Sequence, residues 1–317
     1  MKRVMTWQLL LLFCLSLFLG GCNGKQAQKD QEAAGYKITD SQGYSMTMSQ
    51  KPQRIVSVSL ASDEILVDLV AADRIEALTY LADNSGISNV TEQAKQIPRR
   101  IKDNAESIIA LQPDLVFMAD WQSPDLIQTI RDAGISVYVY KAPGTIAEVK
   151  QVIEAISQAV GEETMGKQLT LQMDGELDKI TQKLQNAPAD KHKTVLMYTL
   201  MGGTGGVGST FDDICRYASV KNAASSVGLG RSDILSKEQI VQANPDMFFM
   251  PTWDYTGKTD IQQFKENVQQ DPALQTVKAV REHHLFTVPD RHLNCTSQYI
   301  VEGVKDIASA AYPDCFE

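Results

Sequence analysis

The chain has 317 residues, of which 43% are hydrophobic, 22% charged and 7% aromatic. That length predicts two ordinary domains, and the composition excludes disorder, a collagen-like repeat and a multi-span membrane protein. The formal charge of −9 argues against nucleic acid as a partner, since phosphate backbones select basic surfaces.

Lys2 and Arg3 precede an apolar run from Leu9 to Leu19, followed by Gly20, Gly21 and Cys22. This is the charged, apolar, small-residue order of an export signal over residues 1–21. Leu19-Gly20-Gly21-Cys22 resembles the lipobox of bacterial lipoproteins, which implies cleavage before Cys22 and acylation of its thiol. Removing Lys2 and Arg3 leaves 28 basic against 39 acidic residues, a charge of −11. Residues 22–35 lack an apolar period and read as a flexible tether. Cys215, Cys295 and Cys315 would then stand in an oxidising compartment, where one disulfide and one free thiol is the simplest arrangement.

Tyr36 to Met48 alternates around Asp40-Ser41-Gln42-Gly43, a hairpin signal. A strand at Ile55–Ser59, a helix at Ser62–Val70 and a strand at Ile75–Tyr80 follow, and the alternation resumes at Ala105–Leu111, Asp114–Met118, Asp125–Asp132 and Val137–Tyr140. Strands separated by helices imply a parallel sheet covered on both faces.

Arg99–Trp121 matches Arg231–Trp253 without a gap at an offset of 132. The shared residues are Arg99/Arg231, Glu106/Glu238, Ile108/Ile240, Pro113/Pro245, Asp114/Asp246, Phe117/Phe249, Met118/Met250 and Trp121/Trp253. Copies this far apart imply two similar lobes. Between them Met165, Leu169, Met173, Leu177, Ile180 and Leu184 recur at helical spacing until Pro188, predicting a strut of roughly 35 Å. The expected organisation is therefore an α/β lobe over 36–161, a connecting helix over 162–187 and an α/β lobe over 188–317: two doubly wound lobes joined by one long rigid helix.

Gly203-Thr204-Gly205-Gly206-Val207-Gly208 satisfies G-x-G-x-x-G after an apolar strand at Val195–Leu200 and before a helix near Asp212. A nicotinamide-dependent oxidoreductase is the competing class. Export to a compartment without a nicotinamide pool and the lack of an acidic residue closing a second strand argue against it, and a flexible lip on a cleft is the expected role. His192, His283, His284 and His292 all lie in the C-terminal part, so a His-rich site for a bare metal ion shared by both lobes is not expected.

In doubly wound sheets ligands lie beyond the carboxyl ends of the strands. Those positions nominate Ser59, Leu60, Tyr80, Arg99, Arg100, Trp121, Tyr198, Arg231, Trp253, Tyr255, Arg291 and His292. Arginines bond anionic groups and aromatic faces cover flat or apolar ones.

Lys51-Pro52-Gln53-Arg54-Ile55-Val56-Ser57, Glu106–Asp114, Asp132-Ala133-Gly134-Ile135, Glu238–Asp246 and Leu285-Phe286-Thr287-Val288 resemble the substrate-binding lipoproteins of ABC importers for ferric siderophores, haem and cobalamin. The resemblance implies two α/β lobes, a cargo held in the cleft between them, no catalysis and no resident cofactor. Its implied partners are a permease dimer with its ATPase, a small-molecule metal chelate, and a bacterial membrane reached through the lipid on Cys22, all outside the cytoplasm. The matching family glutamates imply that Glu106 and Glu238 dock onto permease arginines. Four candidate arginines favour an anionic ferric siderophore. Cobalamin is the alternative, although relatives that bind it often carry an aromatic residue near Arg100, and so is haem, with Tyr198, Tyr255 or His292 as axial ligand.

Overall fold

A computed structural model of the chain describes residues 35–185, 187 and 192–317. The predicted signal peptide, Cys22 and all of the predicted tether except Gly35 lie outside the described residues.

Strands β1 (Tyr36–Thr39) and β2 (Ser45–Met48) pair with each other. The Asp40 carboxylate closes the turn between them by accepting 2.9 Å bonds from the backbone N–H groups of Gln42 and Tyr44.

Two five-stranded sheets follow. The first runs β5 (Arg100–Ile101), β4 (Ile75–Thr79), β3 (Ile55–Ser57), β6 (Leu115–Ala119) and β7 (Val137–Tyr140), with every neighbouring pair parallel. The second runs β10 (Lys221–Asn222), β8 (Thr194–Thr199), β11 (Met247–Met250) and β12 (Leu285–Thr287), also parallel. Strand β9 (Gly202–Thr204) folds back antiparallel on β8. Strands β3, β6 and β11 are buried at every position, as a sheet covered by helices on both faces requires.

Nine described helices have six or more residues: α1 (Leu60–Leu69), α2 (Ala105–Ala110), α3 (Pro124–Asp132), α4 (Ile146–Val160), α5 (Glu163–Leu184), α6 (Thr210–Tyr217), α7 (Lys237–Ala243), α8 (Ile261–Gln270) and α9 (Ile300–Ala311). Each sheet has its own core. Val56, Val116, Met118 and Val139 pack against Ile108, Ile127 and Ile130 in the first. Leu196, Phe248 and Met250 pack against Ile240, Leu274 and Val280 in the second.

The 22 residues of α5 pack against α4 of the first lobe and α9 of the second. Met173, Leu177, Ile180 and Leu184 are buried along it, whereas Met165 is exposed. Gly166 makes the contact there instead: a Cβ at that position would lie 2.2 Å from Ser157 Oγ, so glycine permits the close approach to α4.

The repeat is visible in the backbone. Helices α2 and α7 begin at equivalent positions, as do β6 and β11. Before each Pro-Asp pair, Gln112 and Asn244 adopt left-handed conformations, with φ of 48° and 42°. The expected disulfide is corrected: Cys215, Cys295 and Cys315 are all free. Cys215 is buried on α6 and Cys295 faces Glu64 of the first lobe, so their thiols serve separate packing environments.

Candidate functional site

The site grows from the end of β3. Ser59 leaves the strand in extended conformation and caps α1, its Oγ accepting a 3.2 Å bond from Ser62 N–H. Ser57 and Ser59 each bond the Ser62 hydroxyl, at 2.6 and 2.8 Å, and the Tyr140 hydroxyl bonds Ser59. Burial pushes the Tyr140 hydroxyl up to about 12, against the lowering effect of its serine bonds. Behind this chain of hydroxyls lies Asp63, fully buried, accepting bonds from the backbone N–H and hydroxyl of Thr79 at 3.2 and 2.5 Å. Burial raises its carboxyl to about 7, although bonds from Ser57 and Thr79 oppose the shift.

This framework floors a cavity of about 580 Å³. Every strand of the first sheet delivers residues to it from its carboxyl end: Val58–Ala61 after β3, Thr79–Leu81 at β4, Ile101–Asp103 at β5, Trp121 after β6, and Tyr140 with Ala142 and Pro143 at β7. Thr296 reaches it from the second lobe. Tyr80 is 54% exposed and Trp121 66% exposed, so two large ring surfaces are available to a ligand. Lys102 lies 5.4 Å from the Tyr80 ring centre, and Asp103 stands beside it on the same wall.

The lobes touch on two flanks. On one, Trp253 lies against Gly86, Arg291 donates to the Ser85 carbonyl at 3.1 Å, and Asn89 donates to the Arg291 carbonyl at 2.8 Å. Beside them Glu64 of α1 is buried between Asn89 and the Ser297 hydroxyl, at 2.8 and 2.5 Å. Burial raises the Glu64 carboxyl despite those bonds. On the other flank Arg231 donates to the Pro143 carbonyl at 3.0 Å, and Asp213 accepts from Ile146 N–H at 2.7 Å.

Of the residues nominated from sequence, the structure gathers Ser59, Leu60, Tyr80 and Trp121 on the cavity wall. The arginines are engaged elsewhere. Arg99 pairs with Glu76, and Arg100 chelates Asp83 at 2.7 and 2.9 Å while bonding the carbonyls of Ala94, Ile97 and Arg99. Arg231 and Arg291 bridge the lobes. Tyr198 is buried in the second core, stacked on Phe248 at 5.2 Å. His292 bonds Asp306 of α9 at 2.6 Å. Tyr255 stays exposed, 6.4 Å from the Trp253 ring. Glu106 and Glu238 are exposed in the first turns of α2 and α7. Sequence reasoning missed Lys102, Asp103 and Thr296: β5 is two residues long and leaves no strand signal, and Thr296 follows no strand.

The glycine motif does not form a dinucleotide loop, and the segment expected as a flexible lip is packed, with Gly208 lying against Gly144 of the first lobe. Gly202 and Gly203 lie in β9, and a Cβ on Gly206 would sit 2.2 Å from the Leu229 carbonyl, so the loop is packed against 229–230. The β9 hairpin separates β8 from α6, whereas a dinucleotide loop runs from strand directly into helix.

Known proteins resemble this chain in sequence and in fold. An uncharacterised ABC transporter substrate-binding lipoprotein, YvrC of Bacillus subtilis, is 27% identical over 100% of this chain and 99% of its own. A cobalamin-binding protein of Halobacterium salinarum is 22% identical over 88% of this chain and 75% of its own. Among solved structures, the molybdate-bound periplasmic binding protein MolA of Haemophilus influenzae superposes with a TM-score of 0.73 at 20% identity, covering 89% of this chain and 92% of that one. The family model described as periplasmic binding protein matches residues 55–292, and the chain belongs to that family.

Proposed function

We propose that this chain is the substrate-binding component of an ABC importer and that it binds, without transforming, a bulky metal chelate with a flat, largely uncharged face. The observation that carries the reading is the cavity at the strand ends: Tyr80 and Trp121 offer exposed rings, and its charged lining residues are one lysine and one aspartate. Aromatic surfaces without a net charge suit a corrinoid better than a polyanion. The similarity to a cobalamin-binding protein supports the same cargo.

A ferric siderophore is the second reading. Lys102 favours it, as the one cation among the described lining residues. The arginines that first suggested an anionic chelate are held by Glu76, Asp83 and backbone carbonyls, which weakens their claim. Acylation of Cys22 would hold the protein on the outer side of a membrane, and Glu106 and Glu238 would present the loaded protein to a permease dimer driven by its ATPase. The lipoprotein relative supports this placement.

Titration of tryptophan fluorescence with cyanocobalamin, haem and ferric siderophores tests the cargo. Saturable quenching by the corrinoid, weakened about tenfold or more by Trp121→Ala, is the expected result. Tight binding of anionic siderophores alone, lost in Lys102→Ala, would establish the second reading. Binding of none of these chelates would overturn both.

A further inference from the structure

A second cavity, of about 280 Å³, lies at the outer edge of β7, where Asp40 and Ser41 bond Val139, between that strand, α4 and the 39–41 segment. Its wall contains one nearly buried side chain whose hydroxyl is engaged by no described residue. Tyr138 is only 6% exposed, its ring lies 5.7 Å from Phe117, and no described residue bonds its hydroxyl. The contrast with Tyr140, two positions along the same face, is direct: that hydroxyl is engaged by Ser59. A phenylalanine would supply the ring packing of Tyr138 without a polar atom to satisfy. Burial and the neighbouring Asp40 charge keep the Tyr138 hydroxyl protonated, hence a donor.

The charges around the cavity are matched. Asp40 pairs with Arg131 at 2.7 Å, and Lys141 lies 3.5 Å from Glu148. Val152, Ala155 and Pro143 add apolar surface. A part-apolar pocket with paired charges, whose nearly buried Tyr138 hydroxyl and exposed Gln151 amide are left to a ligand, favours an uncharged hydrogen-bonding molecule over an ion.

We propose that this cavity is a second ligand site, for a small uncharged molecule that accepts a hydrogen bond from Tyr138, an amide or alcohol in chemical class. The site adjoins the main cavity without belonging to it: Tyr140 and Pro143 line both.

Saturation-transfer NMR on the full chain tests the site, with N-methylacetamide and 1,2-propanediol as uncharged probes and acetate and methylammonium as charged ones. The uncharged probes should bind, and Tyr138→Phe should weaken them about two- to tenfold, the loss of one hydrogen bond. Ala155→Met, which fills the cavity from α4, should abolish their binding. Chelate quenching of Trp121 should be unchanged in both variants, which separates this site from the cargo reading. The proposal is overturned if no uncharged probe binds the wild type, if acetate or methylammonium binds as well, or if both variants bind the probes as the wild type does.

Discussion

Asp114 and Asp246, 132 positions apart, make the same reciprocal pairing in the two lobes. The Asp114 backbone N–H donates to the Arg54 carbonyl while its carboxylate accepts from Arg54 N–H, both at 3.0 Å. Asp246 does the same with Thr194, both at 2.7 Å. Each aspartate thus ties the turn before β6 or β11 to the start of the neighbouring strand, β3 or β8, and sets the register of the sheet's centre.

Alanine at either position should therefore cost about 1.5–3 kcal/mol, the range for hydrogen bonds to a charged group. Urea denaturation measures it. Asp246 is partly desolvated, which pushes its carboxyl up, but Lys278 and Thr194 hold it below the usual aspartate range. Its contribution is present above the unfolded-state value and fades as pH falls through the folded one. The wild-type advantage over Asp246→Asn should accordingly shrink in acid; an advantage that grows there would contradict the pairing.

Asp63 has the opposite sign. With its carboxyl raised to about 7 by burial, the folded state holds a proton that the unfolded state releases near pH 4. Stability should fall as pH rises between those values, by about 1.4 kcal/mol per unit where only the folded state is protonated. Asp63→Asn keeps an acceptor for Thr79 and removes the titration. A variant whose stability still declines like the wild type from pH 4 to 7 would exclude Asp63 as the source.

The elements most legible in the sequence were those defined locally. The Glu, Pro-Asp and Trp positions of the repeat fall on matching helices, turns and strand ends because each is fixed by neighbours within a few residues. Tyr80 and Trp121 reach the cavity for the same reason. The arginines did not, because their partners are chosen by folding: Glu76 is 23 residues from Arg99, and Pro143 is 88 from Arg231. Tyr198 shares strand parity with Leu196, and both point into the second core, so alternation along β8 carried that signal. The burial of Glu64 against Ser297, 233 residues away, left no trace in local pattern.

Gly86 should be intolerant of a side chain. A Cβ there would lie 2.4 Å from the Trp253 ring, closer than real contacts allow. Gly86→Ala must push the 84–89 loop from Trp253 and loosen the Arg291–Ser85 bond. We expect red-shifted tryptophan emission and cargo affinity reduced about tenfold, since the Trp253 and Arg291 contacts of that flank are loosened while Glu64 and Asn89 still hold it. Unchanged emission and affinity would mean that the flank closes without this contact.

Glu106 and Glu238 occupy equivalent first-turn positions on α2 and α7, both exposed. A carboxylate there favours its own helix, and Glu238 is held below the usual glutamate range by its own backbone N–H and by Ser236. Capping alone accounts for one glutamate on each helix. The repeat sets the two glutamates at the same place on both lobes, which is also the arrangement that two like permease subunits would read under the proposed function. Exposed charges of this kind speed association and confer salt dependence while adding little to folding. The double variant Glu106→Ala, Glu238→Ala should keep cargo affinity within about threefold of wild type, because neither residue lines the cavity. Uptake by cells should be lost, and association with the permease in detergent or nanodiscs should weaken most at low salt. Normal uptake by the double variant would reduce the pair to helix caps, and a loss of cargo affinity would place them in the cleft.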